Sequence, residues 1–121
     1  MTQNQSRQLG TLKQRSEFLY VREGDYAARG AVVLQCRANP THQGVRYGVT
    51  ATKRIGNAVT RNRAKRRLRV LAQELLPEFG RNGHDYVLIA RDRTPARDWK
   101  RLQQDVRRAL QSLPGPGQSA P

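Results

Sequence analysis

Residues 53–69 read KRIGNAVTRNRAKRRLR. The segment carries eight basic side chains: Lys53, Arg54, Arg61, Arg63, Lys65, Arg66, Arg67 and Arg69. It contains no acid, and no carboxylate occurs between Asp25 and Glu74. Charge of one sign at this density repels itself and needs a polyanion. Helices kept soluble by charge mix the two signs instead. Ile55-Gly56-Asn57 reads as a turn, because Gly and Asn tolerate backbone angles that other residues avoid. From Ala58 onward the spacing predicts a helix. At about 100° per residue, Ala64, Leu68, Leu71, Ala72 and Leu75 share one face. Asn62, Lys65, Arg66 and Arg69 fall on an adjoining face. Arg63 and Arg67 lie on the far flank, and Arg61 at the border of core and stripe. One edge therefore docks on a core while a band of cations faces outward. Arg offers planar forks to phosphate, and Asn can pair with a base edge or a 2′-hydroxyl.

Upstream, VRYGVTAT (Val45 to Thr52) predicts a strand that runs straight into Lys53. Tyr47, Val49 and Ala51 share one face of it. Ala31 to Arg37 predicts another strand, with Val33 and Gln35 on one face and Val32, Leu34 and Cys36 on the other. Tyr26 to Arg29 reads as a short edge strand after the turn Glu23-Gly24-Asp25. Ser16 is the expected cap of a short helix bearing Glu17, with Phe18 and Val21 on one side. Downstream, the helix is expected to stop near Leu76-Pro77, and Phe79 to fold back on the core. Tyr86 to Arg91 is a near-continuous apolar strand of central type. Thr94-Pro95 reads as a cap and first-turn proline. Trp99, Leu102, Val106, Ala109, Leu110 and Leu113 then recur at helical spacing, with Trp99 as the expected anchor. The order predicts an α+β fold with helices packed on a small sheet.

The chain has 121 residues, enough for one domain and too few for two. Its net charge of +14 points to nucleic acid or an anionic surface as partner. No apolar run approaches roughly 18 residues, so no membrane span is expected. The N-terminal MTQNQSRQLG lacks a secretory apolar region. The lone Cys36 cannot pair internally and reads as a small buried apolar residue in a reducing cytoplasm. Residues 1–10 and 114–121 are expected to be disordered arms.

Protein-borne catalysis would need a general base, a metal cluster or a partnered nucleophile. His42 and His84 are far apart and both fall in expected loops, outside any zinc-ligand spacing. Asp92 and Asp98 read as local caps. No phosphate-binding glycine motif occurs. The sequence therefore offers no catalytic and no metal-binding residues.

Residues 53–69 resemble the signature of the bacterial ribonuclease P protein subunit: a lysine-bearing strand end, the IGNAV turn and the RNR helix. The likeness extends more weakly over residues 12–111. It implies a two-layer α/β sandwich, with a small mixed sheet of three to four strands and three helices. It also implies a left-handed strand–helix–strand crossover, against the usual hand. Residues 1–113 would form a single RNA-binding domain. The resemblance implies that an RNA subunit catalyses and the protein assists, removing the 5′ leader of precursor tRNA. Mg2+ would be bound mainly by the RNA, and no organic cofactor is expected.

By the same resemblance, Lys53, Arg54, Asn57, Arg61, Asn62, Arg63, Lys65, Arg66 and Arg69 would bind the catalytic RNA. Phe18, Arg22, Val33 and Gln35 would line a cleft for the leader, where an aromatic ring can stack on a base. Phe18 reads equally as a core residue from the sequence alone. The chain departs from the family near Arg22 and Gln35, where aromatics are expected in many relatives. Arg can still stack and attract phosphate, whereas Gln only hydrogen-bonds. The expected partners are the catalytic RNA, in a 1:1 complex with a monomeric protein, and precursor tRNA, in the cytoplasm and with no membrane. On composition alone a stand-alone RNA-binding protein of ribosomal type fits as well; the IGNAV and RNR segments separate the two.

Overall fold

The computed structural model describes residues 9–41 and 43–113. Five strands form one mixed sheet: β1 (Leu9–Thr11), β2 (Asp25–Arg29), β3 (Val32–Ala38), β4 (Val45–Thr50) and β5 (His84–Ala90). Their order is β1-β4-β5-β3-β2. The apolar run of β5 is central, parallel to β4 and antiparallel to β3. The three helices are α1 (Arg15–Arg22), α2 (Ala58–Phe79) and α3 (Trp99–Ser112). Since β4 and β5 are adjacent and parallel, the chain must cross over between them, and α2 is that crossover.

Strand alternation sorts side chains onto two faces. Leu34 and Cys36 of β3, Tyr47 of β4 and Leu88 of β5 meet Leu68 and Leu71 of α2 and Leu102 and Val106 of α3 in the main core. The helix face expected to dock, Ala64 to Leu75, is the buried one. Burial pushes the Cys36 thiol up to about 12, so it packs as an inert apolar group. On the opposite face Leu12, Val21 and Val87 form a smaller cluster, joined by Phe18 and Ile89. That face carries α1.

Several expectations need correction. The sheet has five strands rather than three to four. The fifth is β1, which pairs parallel with β4 and whose Leu9 and Gly10 fall in the stretch expected to be a disordered arm. Leu9-Gly10-Thr11 is too short for alternation to be legible; the ladder to β4 makes it a strand. Residues 1–8, His42 and the tail 114–121 lie outside the described residues. Ser16 does not cap α1, which begins at Arg15. Glu17 reaches back instead, accepting from the Lys13 and Gln14 N–H groups at 2.6 and 2.9 Å. α2 runs past Pro77 to Phe79. The proline forfeits a single ladder donor, while Gly80 N–H still reaches Leu76 O and Phe79 packs on the core. Thr94-Pro95 opens a separate 3₁₀ turn (Thr94–Ala96), and Asp98 caps α3. His84 starts β5 rather than lying in a loop. Trp99 is 38% exposed and does not anchor the core.

Beneath α1 the sheet holds charge. Asp85 is fully buried on β5 and accepts from Arg46 Nε and Nη2 at 3.0 and 2.8 Å and from Asn39 Nδ2 at 3.0 Å. The Nη1 of Arg46 donates to Glu17 Oε2 at 3.0 Å. Arg46 thereby ties α1 to the two central strands. Removing one partner of a buried ion pair strands the other. Arg46→Ala is expected to cost about 3–5 kcal/mol in urea denaturation, and Arg46→Lys to restore only part of it, because the bidentate fork is lost.

The Gln14 N–H, then the Lys13 N–H, with Arg46 adding, hold the Glu17 carboxyl below its ordinary value. A folded-state value below the unfolded one lends stability at pH above the unfolded value. That stability disappears as pH falls through the folded value. Glu17→Gln should therefore flatten the acid limb of the stability–pH curve, followed by circular dichroism. An unaltered acid limb would show that Glu17 does not hold α1 down.

Candidate nucleic-acid interface

β4 ends at Thr50 rather than at the expected Thr52, and the stripe begins after Ala51 and Thr52. Lys53–Ile55 form a 3₁₀ turn, followed by Gly56 at φ 146. A Cβ there would lie 3.1 Å from Thr60 Cβ, in a backbone region that side chains rarely adopt, so glycine is required. Asn57 caps α2 by accepting from Thr60 N–H at 2.9 Å. Arg61 Nη1 donates to Gly56 O at 3.1 Å. These two expected RNA contacts thus also shape the turn. Lys53, Arg54, Asn62, Arg63, Arg66 and Arg69 are exposed, and Lys65 is half-buried. Among the described residues the ion pairs involve Arg46 and Arg97, not the stripe.

Arg67 has a different part. Its Nη1 donates to Thr94 O and Pro95 O at 2.6 and 3.0 Å, and Nη2 to Arg97 O at 2.6 Å. Its guanidinium lies 5.4 Å from the Trp99 ring centroid. Burial first, then the charge of Arg63, hold its pKa below the ordinary value. Arg67 braces α2 against the turn before α3 and covers Trp99.

Thr52, Arg54 and Ile55 share an open cavity of about 460 Å³ with Ala90, Arg91, Asp92 and Arg93. It lies at the carboxyl ends of the parallel pair β4 and β5, where open α/β sheets take their ligands. Arg91 and Arg93 thereby join Arg54, a grouping the sequence reading missed. The signal was two arginines directly after an apolar strand, but only the β4–β5 register brings them to Arg54.

The second expected surface is the α1 face. A Cβ on Gly48 would lie 2.5 Å from Phe18 ring atoms, so the bare glycine of β4 makes room for that ring. Phe18 is half-buried, packed on the small cluster yet partly open. Val33 and Gln35 are half-buried on β3, and Arg22 is exposed as the last residue of α1. Val33 and Gln35 pair with Ile89 and Val87 of the α1-side cluster, so they share its face. Among the described residues no three His, Cys, Asp or Glu side chains gather to hold a metal ion. No described helix is long and apolar enough to cross a membrane.

The sequence model of the family described as Ribonuclease P matches residues 7–114. The chain is 51% identical over 106 residues to the ribonuclease P protein component of Caulobacter vibrioides strain NA1000, covering 84% of this chain and 69% of that one. It is 43% identical over 111 residues to the ribonuclease P protein component of Ruegeria pomeroyi, covering 89% of each. In fold it is similar to the RNase P protein from Thermotoga maritima, with TM-score 0.73 and 24% identity over 87% of this chain and 98% of that one. The Staphylococcus aureus RNase P protein gives TM-score 0.71 and 24% identity over 84% and 92%.

Two neighbouring arginines of α2 should behave oppositely. Arg67→Ala removes three charge-assisted hydrogen bonds and should cost at least about 1.5–3 kcal/mol of stability. Arg66→Ala, on the exposed band, should stay within about 0.5 kcal/mol of the parent. Urea denaturation of the two variants checks the assignment; equal losses would contradict it.

Proposed function

The chain belongs to the ribonuclease P protein family, and from that premise we propose that it binds the catalytic RNA through the α2 stripe and the 5′ leader of precursor tRNA through the α1 face. It thereby assists endonucleolytic removal of the leader to give the mature tRNA 5′ end. The observation that carries this reading is the one-signed band. Lys53, Arg54, Asn62, Arg63, Arg66 and Arg69 are exposed together, fixed by a capped helix whose other edge is core. Such a band suits a phosphate backbone. Asn57, Arg61 and Lys65 complete it at the turn and at the core border.

On the α1 face Phe18 offers a ring for stacking, Arg22 a cation, and Val33 with Gln35 a floor. The described residues do not form a cluster for the magnesium that the family implies. In this proposal the ions are held mainly by RNA, and the protein binds and orients. It acts as a monomer, one per RNA, in the cytoplasm. A stand-alone RNA-binding role without processing is not favoured, given the family match over residues 7–114.

Purified protein alone should leave precursor tRNA intact, and adding the cognate catalytic RNA should give cleavage at the mature 5′ end. Robust cleavage by RNA-free protein would sink the proposal. If the stripe meets about five phosphates, log affinity for the catalytic RNA should fall against log salt with slope roughly −3.5 to −4.5. Replacing Arg63 and Arg66 together by Ala should make that slope shallower by roughly one to two. Phe18→Leu keeps most of the packing volume and removes the stacking ring. It should leave assembly with the RNA intact and weaken only substrates whose leader reaches the cleft.

A further inference from the structure

Tyr26 is 72% exposed on the edge strand β2. In the sheet register it stands opposite Gln35, which stands opposite Val87, which stands opposite Gly48. Cross-strand partners present their side chains on the same face. Tyr26, Gln35, Val87 and Gly48 therefore form one transverse row on the α1 side of the sheet. The Phe18 ring covers Gly48 at one end of that row. Tyr26 is the side chain at the other end.

The other aromatics of the fold are spent differently. Tyr20 donates its hydroxyl to Ala38 O at 2.6 Å and lies under the Arg37 guanidinium at 4.1 Å. Tyr47 and Tyr86 are core, and Trp99 sits beneath Arg67. Tyr26 keeps an open ring.

We propose that Tyr26 is a second base-stacking residue, which extends the single-strand cleft across the sheet from Phe18 to the β2 edge. The inference rests on the leader-cleft reading above. Three strand spacings separate the ends of the row, about 14 Å. At roughly 3.4 Å per nucleotide, the rise of a fully stacked strand, that is at most about four nucleotides. The bases nearer the cleavage site meet Phe18, the more distant ones Tyr26, and half-buried Gln35 lies between. Gln35 cannot stack, so the ring missing from β3 is supplied one strand further out. Glu23 and Asp25 closely precede Tyr26 in sequence and disfavour phosphate contact there. Stacking, not charge, is the contact this edge offers.

The test uses holoenzyme reconstituted from the full chain and its catalytic RNA. The substrates are precursor tRNAs whose single-stranded leaders are about two or about eight nucleotides long, chosen to end before or beyond the row. Tyr26→Ala should weaken binding of the long-leader substrate by about 5-fold or more and leave the short-leader substrate unchanged. Tyr26→Phe should restore the affinity, and the salt slope should not move. The melting temperature should also hold, since the ring is exposed. Unchanged long-leader affinity in Tyr26→Ala, while Phe18→Leu weakens it, would overturn the role of Tyr26 and leave the cleft standing. No leader-dependent loss in either variant would overturn the cleft and this inference together. Equal loss on both substrates would also overturn the inference.

Discussion

The apolar edge of α2 is what permits its basic band. Like charges three and four residues apart oppose a helix by a few tenths of a kcal/mol per pair. The segment between Arg61 and Arg69 stacks several such pairs. Against them stand Leu68, Leu71, Leu75 and Leu76, all buried against the sheet and α3. Burying one leucine is worth about 1.5–3 kcal/mol, so each outweighs several repulsive pairs. The helix can therefore carry a concentration of charge that would not fold alone. The repulsion is held in the free protein, where a polyanion can relieve it.

The sheet then connects two surfaces that the helices separate. β4 carries Arg46, second in the strand, in the ion network under α1, passes Gly48 beneath Phe18, and ends at Thr50 before the turn to Lys53 and Arg54. One strand thus leads from the proposed leader cleft to the start of the stripe. Its parallel neighbour β5 delivers Arg91 and Arg93 to the same end. Because Asp85 holds Arg46 and Arg46 holds Glu17, the tilt of α1 is referenced to these same two strands. The two proposed surfaces therefore share one rigid frame.

The docking face of α2, the central place of β5 and the buried state of Cys36 were legible in the sequence, because each rests on a local pattern of side chains. What was not legible depended on pairing. β1 is three residues long and exists through its ladder to β4. The neighbourhood of Arg54, Arg91 and Arg93 needs the β4–β5 register. Trp99 failed for a different reason: helical spacing placed it on the apolar stripe, but at the first turn of α3 that stripe has run past the core. Asp105 was likewise invisible. It sits on the same buried side of α3, accepting from Ala31 N–H at 2.9 Å and paired with Arg97. A carboxylate in such a position signals an unsatisfied backbone donor opposite it, which composition cannot reveal.

Arginine count is a poor guide to arginine role in this chain, and the helix explains why. Arg66 and Arg67 are adjacent, yet about 100° apart around α2. That step turns Arg67 toward the 3₁₀ turn, whose Thr94, Pro95 and Arg97 carbonyls lie within reach. Three carbonyl acceptors offset the desolvation of its guanidinium, so it stays charged and half-buried. Among the described residues Arg66 meets no such acceptor, and it is exposed. Arg61, at the core border, is drawn to the Gly56 carbonyl for the same reason. Carbonyls at helix and turn ends thus claim forks of the signature segment that would otherwise face outward. The arginines left to face a polyanion are those whose helical angle keeps them away from those ends.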